Sequence, residues 1–260
     1  MPFEPFNLQG KVALVTGGNG GIGLGMAEGL AQAGAAIEVW GTNPDKNRAA
    51  QERLAAYGTQ ITARRVDVAD ENAVDSAMGD LLSAHGRLDA CFANAGIGAR
   101  ISPFHEMSTD AWEEVMAINL RGKFFTLRAA AAHMVERAQQ GDTGGSLVAI
   151  SSTSAFMGAP RNEHYGAANG GVIPMMKGLA VEYGRYNIRA NTIVPGWTMT
   201  DLAGPVLESE GFRNKVLPRQ PGRRWGQPED FSGIAIYLAS DASSFHTGQE
   251  FTICGGYTVF

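Results

Sequence analysis

Short apolar, β-branched runs alternate with longer helical patterns along almost the whole chain, and this alternation restricts the fold more than any other feature. The runs are Lys11–Thr16, Ala36–Trp40, Gln60–Val66, Leu88–Ala93, Ser146–Ser151, Ile188–Val194 and Glu250–Ile253. Several are apolar nearly throughout, as strands covered on both faces must be. Between the first two, Ile22, Leu24, Met26, Ala27, Leu30 and Ala31 recur at helical spacing. Pro44–Tyr57, Glu71–His85, Thr109–Arg137, Glu163–Tyr183 and Pro228–Ser240 read as further helices. A βαβα series of this kind predicts an α/β fold, a doubly wound and mostly parallel seven-stranded sheet with helices on both faces. No composition break or repeat divides the 260 residues, so a single domain over 1–260 is expected. Residues 200–227, rich in Gly, Pro and charge, read as a substrate loop or a plain surface excursion.

Composition narrows the partner. With 44% apolar residues the chain can bury a large core, and a net charge of -5 argues against a nucleic-acid surface. Cys91 and Cys254 lie far apart with no CxxC spacing, so neither a metal site nor a disulfide is expected. The N-terminal MPFEPFNLQG lacks a basic n-region and an apolar h-region, and no run approaches the roughly 20 apolar residues of a membrane span. The expectation is a cytoplasmic protein acting on a small molecule, with no nucleic acid and no membrane. Glu38 stands out in an otherwise apolar strand, where a carboxylate must pair or take up a proton; it reads as a neutral or edge-reaching residue without function.

The 34 glycines matter through their positions. TGGNGGIG, Thr16 to Gly23, leaves the first strand and enters the first long helix, where bare backbone and a helix N-terminus can receive a pyrophosphate. On its own the pattern is also that of a tight βα turn. Downstream lie ANAG at 93–96, IN at 118–119, SS at 151–152, Tyr165 thirteen residues after Ser152, and PGWTMT at 195–200. GRRWGQPED, ASDASSFHTGQE and the GG at 255–256 extend the series over essentially the whole chain. In this order the motifs resemble the short-chain dehydrogenase/reductase family.

The resemblance implies a Rossmann fold, an NAD(P) cofactor and interconversion of a secondary alcohol and a ketone. Gly17, Asn19, Gly20, Gly21, Ile22 and Gly23 would carry the diphosphate, and Asp67 and Val68 the adenine. Asn94, Ala95 and Gly96 would lie beneath the nicotinamide, although Ala93 replaces the commoner Asn, and Pro195, Gly196, Thr198 and Thr200 would meet its carboxamide. At the end of the second strand Gly41, Thr42 and Asn43 present neither the acid that selects NAD nor the arginine that selects NADP. Without a repelling acid, and with Lys46 close by, NADP is slightly favoured. The family also implies a homotetramer, with helices 109–137 and 163–183 and the last strand at the interfaces. Ile97, Ile101, Met157, Trp197 and Leu202 are candidates for an apolar substrate lining, with Arg161 and His105 at its mouth; the lining suggests a hydrophobic ketone or cyclic alcohol.

For catalysis the resemblance implies Asn119, Ser152 and Tyr165, with the serine orienting the substrate oxygen and the tyrosine exchanging its proton. The family's fourth member, a lysine four residues after the tyrosine, lowers the phenol pKa, binds ribose and links to solvent through water held by the Asn. Here Asn169 occupies that place. An amide can bond a ribose hydroxyl but supplies no charge, so the phenol should return toward its ordinary value of about 10. A weakened relay is expected, and a cofactor-binding homologue without turnover is the alternative. Lys177 is too far along the helix to substitute; His164, which projects from another face, and Lys123 and Arg121 on the Asn119 helix are weaker candidates, a basic residue there being more often a solvated or interface charge. Cys254, where the family usually has Asp, reads as a small buried side chain.

Overall fold

The computed structural model describes residues 4–98 and 102–259, apart from the side chain at 205. Seven strands form one sheet: β1 (Val12–Thr16), β2 (Ala36–Gly41), β3 (Ile61–Arg65), β4 (Ala90–Ala93), β5 (Gly145–Ile150), β6 (Ile188–Pro195) and β7 (Glu250–Ile253). Their order is β3-β2-β1-β4-β5-β6-β7, and every pairing is parallel. The helices are α1 (Gly21–Gln32), α2 (Pro44–Ala55), α3 (Glu71–His85), α4 (Thr109–Met116), α5 (Gly122–Gln139), α6 (Glu163–Tyr183), the short α7 (Gly204–Leu207) and α8 (Glu210–Val216), and α9 (Ser232–Ala239).

Strand alternation sends the chain's apolar residues to two cores. Val12 and Leu14 of β1 face the layer of α3, α5 and α6, with Leu81, Leu127, Ala130, Val172 and Met176. Ala13 and Val15 face α1 and α9, with Met26, Leu30, Phe231 and Leu238. Burial on both faces explains why these runs are apolar throughout. Strand order reverses between β1 and β4, and the crevice beyond the strand ends at such a switch point is where α/β sheets bind ligands.

The expected elements are present, several with shifted ends, and three readings change. Thr109–Arg137 is not one helix: a π turn, Ala117–Arg121, separates α4 from α5. Pro228–Ser240 opens as a 3-10 turn before α9. Glu38 is neither at an edge nor alone. It is fully buried, with Arg64 Nε 2.8 Å from Oε1 and Trp40 Nε1 donating to the same oxygen at 3.0 Å. Thr62 Oγ1 donates to Oε2, and His85 Nε2 lies 2.7 Å from that hydroxyl. The carboxylate thus joins β2, β3 and α3, away from the crevice.

Candidate active site

The glycine loop leaves β1 with Gly17 and Gly21 at positive φ, 63° and 50°. At Gly23 a Cβ would stand 2.2 Å from the Gly17 carbonyl oxygen, so the turn closes only around glycine. Gly20 is the N-cap of α1 and no side chain caps that terminus, while the space at its missing Cβ is open. Free amide N–H groups at the start of a twelve-residue helix, reached past an open glycine, suit a diphosphate. Asn19 Nδ2 donates to Asn47 Oδ1 at 2.6 Å, and Asn47 Nδ2 donates to the carbonyls of Gly41 and Arg64. These two amides fill the position of a Cβ at Gly41, which explains the glycine at the end of β2.

Thr16 and Asn94 tie this loop to the neighbouring strand end. Thr16 Oγ1 accepts from Asn94 N at 3.0 Å and Ala95 N at 2.9 Å, and Asn94 Nδ2 donates to Thr16 O at 2.9 Å. The segment 94–96 therefore abuts the glycine loop. From the other side Thr200 packs on Gly21, whose Cβ would lie 3.0 Å from the Thr200 methyl. Gly196 hydrogen-bonds to Ile253 O and sits against Cys254, which is buried as expected. Thr198, also buried, donates to Gly196 O and bridges to Gly226, fixing the course of the 195–200 loop after Pro195. Val68 is buried against Gly122, whereas Asp67 is exposed and its carboxylate accepts from Ala69 N. Thr42 and Asn43 are exposed, and Asn43 caps α2 by accepting from Asp45 N and Lys46 N.

Tyr165 and Asn169 lie one turn apart on α6, and Ser152 follows β5. The Ser152 and Asn169 side chains lie beside the phenol and hold its pKa down, but burial outweighs them and raises it above the ordinary 10.0. No cation is among the causes acting on it. Asn169 is buried, and its Nδ2 donates back to the Tyr165 carbonyl at 3.0 Å, so part of the amide is used within the helix. Its own carbonyl accepts from Ser151 Oγ at 2.8 Å.

Asn119 sits in the π turn and its side chain is committed: Oδ1 accepts from Ile97 N at 2.8 Å and Nδ2 donates to Ile97 O at 3.0 Å. The main-chain oxygen of Asn119 accepts from Lys123 Nζ at 2.8 Å. Lys123 is only 3% exposed, and burial depresses its pKa to about 7. The reading of Lys123 as a solvated charge is therefore corrected. Arg121 is exposed as expected, and Lys177 is ion-paired with Glu250 at 2.6 Å. His164 is fully buried, with burial lowering its pKa, so it is no cation at neutral pH.

Of the expected substrate lining, Ile97, Met157 and Trp197 are half-buried and Leu202 is exposed, its Cδ1 3.0 Å from the position of a Gly98 Cβ. Ile101 lies outside the described residues. His105 and Arg161 are exposed. Thr16, Asn47 and Lys123 were not singled out for these contacts by the sequence; only their places beside TGxxxGxG, the second strand and Asn119 hint at them.

A family model described as enoyl-(acyl carrier protein) reductase matches residues 17–258. Gluconate 5-dehydrogenase of Gluconobacter oxydans is 35% identical over 254 residues, 98% of this chain and 97% of that protein. The chain belongs to the short-chain dehydrogenase/reductase family. A 3-oxoacyl-(acyl carrier protein) reductase of Chlamydia pneumoniae is 34% identical over 251 residues, 96% of this chain and 98% of the relative. The structure of a gluconate 5-dehydrogenase from Burkholderia cenocepacia in complex with NADP and tartrate superposes with a TM-score of 0.92 at 35% identity, covering 98% of each chain. This short-chain dehydrogenase/reductase is thus an enzyme of the NAD(P)-dependent class. No helix among its described residues is long and apolar enough to cross a membrane.

Proposed function

We propose that the protein interconverts a secondary alcohol and a ketone with NADP, and that Tyr165 exchanges the proton. The observation that carries this reading is the placement of Ser152 beside the half-buried Tyr165 phenol, at the end of a sheet whose glycine loop suits a dinucleotide. Gly17, Asn19, Gly20, Gly21, Ile22 and Gly23 would hold the diphosphate, Asp67 and Val68 the adenine end, and Asn94 to Gly96 with Pro195, Gly196, Thr198 and Thr200 the nicotinamide end. The bound nicotinamide supplies the hydride acceptor or donor. Ser152 then holds the substrate oxygen, and Tyr165 gives it a proton on reduction or removes one on oxidation. Asn119 acts by fixing Ile97, and Asn169 by standing beside the phenol. NADP is favoured because no carboxylate stands at residues 41–43 to repel a 2′-phosphate.

Residues 1–260 act as one domain in this reading, and 200–227 is its substrate loop. Support comes from Thr200 against Gly21, Leu202 against Gly98, and the ion pair of Asp201 with Lys46 at the start of α2. The half-buried Ile97, Met157 and Trp197 favour a substrate with an apolar part, while the relatives' names point to sugar acids. A homotetramer is supported by Phe124 on α5 and Val181 on α6, which are 43% and 86% exposed; light scattering tests it.

Turnover and NADP(H) affinity are measured on a panel of cyclic ketones and 5-keto sugar acids. Tyr165→Phe is expected to lose roughly 10²- to 10⁴-fold in kcat with cofactor affinity kept. Asn169→Lys, which adds a charge beside the phenol, is expected to raise kcat at pH 7. Unchanged turnover in Tyr165→Phe refutes the assignment, and cofactor binding without turnover in every variant identifies a non-catalytic homologue.

A further inference from the structure

A buried lysine without an anionic partner is a costly object, and Lys123 is one. Its nitrogen makes a single described hydrogen bond, to the Asn119 carbonyl. The elements packed around it carry titratable groups, but Glu113 and Glu114 on α4, Arg121 on the π turn and Asp67 beside Val68 are exposed. On α6 stand the half-buried Tyr165 and the buried, neutral His164. Burial alone shifts the amine, and no carboxylate is among the causes.

Its place in the fold is informative. α5 and α6 follow strands of one parallel sheet and run the same way, away from the crevice. Below Lys123 on its helix face come Leu127 and Ala130; below Asn169 come Val172 and Met176, and these four share one core. Leu120, one turn above Lys123, has methyls within 3.4 Å of the position of a Gly171 Cβ, so α6 rests on the π turn. Lys123 Nζ is tied to the Asn119 carbonyl of that same π turn, so the buried amine is drawn back toward the crevice end of α5, while the buried amide of Asn169 lies two residues above Gly171 on the helix that rests there.

We propose that Lys123 supplies from α5 the positive charge that Asn169 cannot supply from α6, stabilising Tyr165 as it loses its proton. Lys123 acts through Tyr165 and is a positioning residue; the proposal rests on Tyr165 being the proton donor. When a ketone is reduced, the phenol O–H bond breaks, its proton goes to the substrate oxygen, and the phenolate left behind faces the ammonium. Water then restores the phenol proton. In the resting protein the two charges do not coexist, because the amine has lost its proton well before the raised phenol ionises. Assistance is thus present below about pH 7 and fades as pH rises through that value.

Two measurements test this. In the free protein the phenol is titrated by its ultraviolet absorbance, taken as the difference from Tyr165→Phe. Lys123→Arg keeps its charge at high pH and should lower the Tyr165 pKa by about 1 to 3 units, as should Asn169→Lys. In turnover, wild-type ketone reduction should fall through a limb near pH 7. Lys123→Met should be slower by roughly tenfold or more at pH 6 and lack that limb, and Lys123→Met with Asn169→Lys should recover the rate. A phenol unmoved in folded Lys123→Arg, or a wild-type limb retained in Lys123→Met, overturns the proposal. Absence of turnover in the wild type counts against the proposed function, and the role of Lys123 is then decided by the phenol titration.

Discussion

Replacing Lys123 by Met should stabilise the protein, and the gain should depend on pH in a calculable way. The amine falls from 10.5 in water to about 7 in the fold, which corresponds to a cost of about 5 kcal/mol when it must be charged. Between these values the unfolded chain binds the extra proton, so the wild type gains stability as pH rises from about 7 to 10.5, by about 1.4 kcal/mol per unit. Below about pH 7 the full cost is present in the wild type. Methionine is similar in length, carries no charge and forfeits only the bond to the Asn119 carbonyl, worth about 1 kcal/mol. The variant should therefore exceed the wild type by up to about 4 kcal/mol at pH 6, and by pH 10 the advantage should be gone. Urea unfolding of both proteins at pH 6, 8 and 10 and one protein concentration measures the difference, in which other titrating groups cancel. An advantage independent of pH, or a variant less stable at pH 6, refutes the burial argument.

Other substitutions probe other parts of the molecule. Glu38→Ala leaves Arg64 beside an empty buried position and should cost about 3 to 5 kcal/mol in urea unfolding, without changing cofactor affinity. A loss under 1 kcal/mol would show that the Arg64–Glu38 pair does not hold β2 to β3. Gly23→Ala places a methyl 2.2 Å from Gly17 O, so the loop must shift; NADP binding by calorimetry should weaken at least tenfold while circular dichroism is retained. An unchanged affinity would remove the glycine loop from the cofactor site.

The βα rhythm was legible because buried parallel strands and amphipathic helices leave different periods in the sequence, and Glu71–His85 and Glu163–Tyr183 were read to the residue. Ends bounded by glycine or by a capping Asp70 are local facts. The π turn was not legible: one widened turn keeps apolar residues on the same side, so 109–137 read as continuous. Glu38 could be seen to need partners, but Arg64, Thr62 and His85 come from other elements, and adjacency between strands is not written in any single run. Lys123 was misread for a related reason. A basic residue on a helix is usually solvated, and only the docking of α6 on the π turn encloses this one.

Asn169 and Lys123 also constrain each other. A lysine at 169 would place a second ammonium at the crevice end of the same helix pair, and two like charges in a poorly solvated site depress each other's protonation. Asn169→Lys should therefore be less stable at pH 6 than the wild type, and removing Lys123 should help it more than it helps the wild type. A double-mutant cycle of Asn169→Lys and Lys123→Met, followed by urea unfolding, should give a coupling of roughly 0.5 to 3 kcal/mol favouring the double variant. The coupling should vanish near pH 10, where Lys123 is uncharged in both backgrounds. Additivity at pH 6 would place the two side chains out of each other's field, and the amide at 169 would then have an origin unconnected with the buried amine.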